Sequence, residues 1–108
     1  MIMNEIDVNE LKEKQESNKA PFLLDVREEF EYHISNIGGK LIPLNQLPDR
    51  LSEIEDKKDA EIVVMCRSGS RSADACELLK KEGFTNVVNL KGGINDWARK
   101  IDTSLPVY

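Results

Sequence analysis

Apolar positions along this chain fall into short blocks separated by charged and polar stretches. Phe22-Leu23-Leu24-Asp25-Val26, Ile62-Val63-Val64-Met65 and Val87-Val88-Asn89-Leu90 are runs with little polar interruption, the pattern of strands covered on both faces. Another short strand is predicted near Leu41-Ile42, after the break at Gly38-Gly39. The intervening segments carry helix signals. Asp7-Val8-Asn9-Glu10 has the form of a capping box, opening a helix that runs to about Glu16 and ends before Pro21. Glu28 to Tyr32 reads as a helical turn. Pro48 suits the first position of a helix whose apolar face is Leu47, Leu51 and Ile54. A longer helix is predicted from Arg71 to Glu82, with Gly83 as its left-handed cap, and a last one from Ile94 to Lys100 after the Gly92-Gly93 turn. Strands alternating with helices indicate an α/β fold, a parallel sheet with helices on both faces.

Composition narrows this further. A chain of 108 residues has room for one domain with a real core and not for two, so residues 1–108 are expected to form a single domain. With 40% apolar and 32% charged residues it reads as an ordinary soluble globular protein. No apolar run is long enough to span a membrane. Met1-Ile2-Met3-Asn4-Glu5 lacks the basic patch and apolar stretch of a signal peptide, so a cytoplasmic protein is expected. The net charge of −5 argues against general affinity for nucleic acid or anionic membranes. Two cysteines are too few for a disulfide scaffold, and neither lies in a Cys/His cluster. No metal or other cofactor is expected.

The candidate chemistry is concentrated in Cys66-Arg67-Ser68-Gly69-Ser70-Arg71-Ser72. Cys66 follows a buried strand and precedes a helix, the position where open α/β sheets bind ligands. Free backbone N–H groups and the helix dipole there favour an anion, and thiolate over thiol. Cys66 is therefore expected to be a nucleophile, ionised and reachable at the floor of a ring of amides. Arg67 and Arg71 would bind anionic oxygens of a substrate, Gly69 would supply a positive φ, and Ser68 and Ser70 would add hydroxyl donors. Cys76 shares a helix face with Ser72, Ala75 and Leu79 and is expected in the core. Asp25 ends a buried strand and should pair with a cation such as Arg27, fixing the loops around the site. Trp97 reads as core, His33 as a partly exposed helix-end residue, and Lys91 has no secured role.

The segments Leu24-Asp25-Val26-Arg27-Glu28-x-x-Glu31-Tyr32, Ile42-Pro43-Leu44, the Cys66–Ser72 loop, Gly83-Phe84 and Leu90-x-Gly92-Gly93-x-x-x-Trp97 resemble the rhodanese family in order and spacing. Within that family the chain looks most like the rhodanese domain appended to adenylyltransferases that activate sulfur-carrier proteins. One departure is Ser35-Asn36-Ile37-Gly38-Gly39, where family members often carry Gly-His-Ile before a Gly-Ala step. The resemblance implies a five-stranded, mostly parallel sheet and a persulfide intermediate on Cys66. It also implies a sulfurtransferase that takes sulfane sulfur from thiosulfate or a persulfide donor, with a cysteine desulfurase or a sulfur-carrier protein as candidate partner. The alternatives are a non-catalytic binding module and a protein-to-protein persulfide carrier. Loop length argues against protein tyrosine phosphatases, which place five residues between cysteine and arginine; here Arg71 arrives one position early.

Overall fold

The structure is a computed structural model and describes residues 4–108; the signal-peptide expectation rests partly on Met1–Met3, outside the described residues. Five strands form one sheet: β1 (Glu5–Ile6), β2 (Phe22–Asp25), β3 (Lys40–Leu41), β4 (Ile62–Met65) and β5 (Val87–Leu90). Their order is β1-β5-β4-β2-β3 and every pairing is parallel, with Leu24 opposite Val64 and Val64 opposite Asn89. Among the described residues, α1 (Val8–Glu16), α2 (Glu29–Ile34) and α3 (Ser70–Lys81) connect successive strands, and α4 (Gly93–Lys100) follows β5.

The two-residue alternation of β4 sorts the core into two layers. Ile62, Val64 and Cys66 pack on one face with Ala75, Cys76 and Leu79 of α3. Val63 and Met65 pack on the other with Leu11 of α1 and with Ile94 and Trp97 of α4. Helices thus cover both faces, and Cys66 continues the row that looks toward α3. Trp97 and Cys76 lie in the core as the sequence suggested.

Local signals held where the chain decides its own conformation. Asp7 caps α1, accepting from the Glu10 N–H at 2.9 Å while Glu10 reaches back to the Asp7 N–H. Gly83 follows α3 with φ of 92°. The helix expected to start at Pro48 is instead two short 3₁₀ helices, Leu44–Asp49 and Leu51–Lys57, with Pro48 inside the first. A break at Arg50 (φ −121°, ψ 16°) separates them, yet Leu47 and Ile54 still reach the core. Strand β1 was not anticipated: two residues carry too little pattern, and it exists by pairing with β5. Among the described residues no helix is long and apolar enough to cross a membrane.

Candidate active site

The carboxyl end of β4 delivers Cys66 to the first turn of α3. Gly69 stands as the residue before that helix at φ 116°, a conformation glycine adopts without penalty. That turn aims the Gly69 N–H at Cys66 Sγ, 3.1 Å away. Burial pushes the thiol up, but the Ser72 hydroxyl and the backbone N–H groups of Ser72, Gly69 and Ser68 outweigh it, and the net shift is downward. Hydrogen bonding to the charged form explains a lowered value in a site that burial alone would raise.

The loop is also held from behind. The Ile94 and Asn95 N–H groups, in the first turn of α4, donate to the Cys66 and Arg67 carbonyls at 3.0 and 3.2 Å. Those carbonyls therefore point away from the sulfur. Such an approach needs Gly93: a Cβ there would lie 2.5 Å from both carbonyl oxygens. The Gly92-Gly93 pair, read from sequence as a turn, is a backbone contact with the cysteine loop.

Several expectations change on contact with the geometry. Cys66 is not openly reachable; it keeps 1% of its surface. The Ser68 and Ser70 hydroxyls make no hydrogen bond to the sulfur. The hydroxyl at the sulfur is that of Ser72, 3.4 Å away, a residue the helical pattern assigned only to the packed face. Arg71 does not stand free for an anion: its two terminal nitrogens bind the Glu31 carboxylate at 2.6 and 2.8 Å. This pairing holds Glu31 at about 2 and raises Arg71. Arg67 lies over the Tyr108 ring, 4.9 Å from its centroid.

Asp25 and Arg27 pair as the sequence suggested, at 2.7 Å in full burial. Every guanidinium N–H of Arg27 has a partner: the Asp25 carboxylate, the Glu31 and Ser35 carbonyls, and the Tyr108 hydroxyl. The Tyr108 hydroxyl in turn donates a hydrogen bond to the Glu31 carboxylate at 3.0 Å. A continuous chain, Asp25–Arg27–Tyr108–Glu31–Arg71, thus ties the end of β2 to the cysteine loop. Ser35, in the segment that departs from the family pattern, supplies one of its carbonyls. The sequence pattern gives Glu31 no role of its own, and Asn89, buried inside β5, accepts from the Ser72 hydroxyl and donates to the Gly69 carbonyl. His33 is exposed beside Glu29 on α2, and Lys91 borders an open groove with Glu5, Asp7 and Asp96 rather than the cysteine loop.

The sequence profile of the rhodanese-like domain matches residues 7–100. The chain belongs to the rhodanese-like family. It is similar to a protein named sulfurtransferase from Allochromatium vinosum, 39% identical over 91% of each chain. It is also similar to an adenylyltransferase and sulfurtransferase of Ogataea parapolymorpha, 36% identical over 89% of this chain and only 25% of that larger protein. Among solved structures, a rhodanese-like domain protein from Staphylococcus aureus superimposes with a TM-score of 0.81 at 34% identity, covering 88% of this chain and 91% of its own. Rhodanese-like relatives therefore occur both alone and as part of longer chains.

Proposed function

We propose that this rhodanese-like chain is a sulfurtransferase that carries sulfane sulfur as a persulfide on Cys66. One observation supports this above the rest: a buried sulfur whose pKa is nonetheless lowered, faced by the amides of Ser68, Gly69 and Ser72 at the start of α3. In the first half-reaction the Cys66 thiolate attacks the outer sulfur of thiosulfate. An S–S bond forms, the sulfur–sulfur bond of the donor breaks, and sulfite leaves with the electron pair. In the second, a thiophilic acceptor such as cyanide attacks the terminal sulfur, thiocyanate leaves, and Cys66 returns as thiolate. The attacking species is already a thiolate, so no general base is required.

Arg67, Ser68, Gly69, Ser70 and Arg71 form the binding loop in this proposal, with unequal parts. Backbone amides of Ser68 and Gly69 hold the terminal persulfide sulfur. Arg67, the exposed arginine, meets the anionic end of the donor. Arg71 contributes its charge while Glu31 holds it, and Asp25 and Arg27 keep the surrounding loops in register. A donor must insert its outer sulfur into the loop, because the resting sulfur has almost no open surface.

Thiosulfate plus cyanide, with thiocyanate measured and intact mass recorded, tests the assignment. Expected are turnover and a mass gain of one sulfur that Cys66→Ser removes; reduced protein giving neither would defeat it. A second proposal, a persulfide carrier between a cysteine desulfurase and a sulfur-carrier protein, draws support from the engagement of Arg71 by Glu31, which weakens the site for a small dianion. Sulfur transfer from a desulfurase at protein concentrations far below the thiosulfate KM would favour it. Strong partner binding that is unaffected by Cys66→Ser, with no turnover, would favour a non-catalytic module instead.

A further inference from the structure

Behind the cysteine loop lies a buried polar cluster whose hydrogen-bond arithmetic does not close with every partner satisfied at once. Ser72 Oγ is 3.4 Å from Cys66 Sγ and 2.5 Å from Asn89 Oδ1. Asn89 Nδ2 is 3.1 Å from the Gly69 carbonyl and 3.3 Å from Glu5 Oε2. A backbone carbonyl can only accept, so the Asn89 amide nitrogen must face Gly69, and the carboxylate of Glu5 agrees. That orientation fixes the amide oxygen on Ser72, where it needs a donor. Ser72 has one proton. While the proton serves Asn89, the hydroxyl presents a lone pair to Cys66, which suits a thiol S–H and opposes a thiolate.

We propose that Asn89 is a positioning residue that makes the Ser72 hydroxyl a two-position rotor. Its proton rests on Asn89 Oδ1 when the Cys66 sulfur is uncharged and swings to Sγ when that sulfur is a thiolate. On ionisation the thiol proton leaves to solvent; the hydroxyl proton stays on Ser72 and only changes partner. In sulfur transfer, which rests on the function proposed above, the rotor follows the charge. The Ser72 hydroxyl turns its hydrogen bond away from Sγ as the thiolate becomes a persulfide, and back toward Sγ as that sulfur becomes the leaving group. Ser72 and Asn89 are both buried, so no bulk water substitutes for either partner.

The charged and titratable groups around the cluster are Arg67 in the loop, Arg71 on α3, Glu5 on β1, Asp25, Arg27 and Glu31 from β2, its following loop and α2, and Tyr108, whose pKa is raised. Glu31, held at about 2, and Cys76, pushed to about 12, do not titrate alongside Cys66.

The experiment is the pH dependence of iodoacetamide alkylation at Cys66, followed by intact mass, in wild type, Ser72→Ala, Asn89→Leu and the double variant. Losing the Ser72 hydroxyl shifts the thiolate-to-thiol ratio down about threefold in the native background. In the Asn89→Leu background the loss grows to roughly tenfold, the lower range for a hydrogen bond to a charged group, because the proton is no longer shared. Asn89→Leu alone raises the ratio. Ser72→Thr restores the native midpoint. Equal Ser72→Ala effects in both backgrounds would overturn the proposal. Should Asn89→Leu not fold, Asn89→Ala also removes the competing acceptor; Ser72→Ala then changes the ratio more than in wild type, and an equal or smaller change overturns the rotor. The titration needs no sulfur transfer. A normal rotor signature without persulfide sinks only the proposed activity, and persulfide without the signature sinks only the rotor.

Discussion

Two cysteine sulfurs share one hydrophobic layer and almost the same exposure, 1% for Cys66 and 0% for Cys76, yet their acidities move in opposite directions. Burial pushes Cys76 up to about 12, with Lys80 countering only in part. The same desolvation acts on Cys66 and is outweighed by Ser72 and three backbone N–H groups. The difference is ten residues of chain: Cys66 precedes α3, where amides lack helical partners, and Cys76 sits inside it, where the amides are spent within the helix. Depth does not make a cysteine inert; the supply of unpaired donors decides.

Removing each sulfur should produce the largest contrast. Cys66→Ser is expected to lower thiosulfate:cyanide turnover at least about 10³-fold, the scale of losing a nucleophile. Cys76→Ala is expected to keep turnover within about twofold while lowering chemical stability by about 1–2 kcal/mol through a small cavity. Comparable turnover in both variants would erase the distinction.

The next largest effect targets the support beneath one sulfur only. Arg27→Met leaves the Asp25 carboxylate buried without its partner and should cost about 3–5 kcal/mol in urea denaturation. Where the variant still folds, its Cys66 midpoint should rise while the alkylation of Cys76 stays negligible. Gly93→Ala comes third: overpacking against the Cys66 and Arg67 carbonyls predicts a loss of about 1–3 kcal/mol and a higher Cys66 midpoint. An unchanged midpoint would show that the α4 contact does not aim the loop.

At neutral pH the remaining contrasts are the smallest and emerge only in pH windows, with opposite signs for the two thiols. Cys76 is raised in the fold, so the unfolded chain loses its proton first; stability falls as pH rises from about 9 toward about 12, and Cys76→Ala removes that slope. Cys66 is lowered in the fold, so its contribution is present above the ordinary thiol range and is lost as pH falls through its own midpoint. Glu31 behaves likewise at acid pH: its contribution is present above about 4.5 and disappears as pH falls toward about 2, which melting curves of Glu31→Gln against wild type would show.

What could be read in the sequence was what neighbouring residues decide among themselves. The Asp7–Glu10 cap, the β4 run, the α3 start and the positive φ of Gly69 each need only a few adjacent positions. The pairings that complete the site span the chain instead. Glu31 meets Arg71 across 40 positions and Ser72 meets Asn89 across 17, so neither side chain advertises its partner locally. Asn89 was hidden for a further reason: a polar residue inside an apolar strand run reads as an interruption. The 3₁₀ helices escaped because Leu47, Leu51 and Ile54 give similar burial on two broken turns as on one regular helix. Arg67 and Arg71 carry the right charge for an anion, but charge alone does not say which arginine a carboxylate has already claimed.

The alternation along β4 has a consequence for how this chain can vary. Ile62, Val64 and Cys66 face one way because they sit at even steps, so adding or deleting a single residue within the strand would swing the thiol to the α1–α4 side, far from any free amides. Length changes of one residue are intolerable there, whereas paired changes preserve parity. Libraries or grafts built on this framework should therefore place their insertions in the outlying loops and count by twos inside the strand.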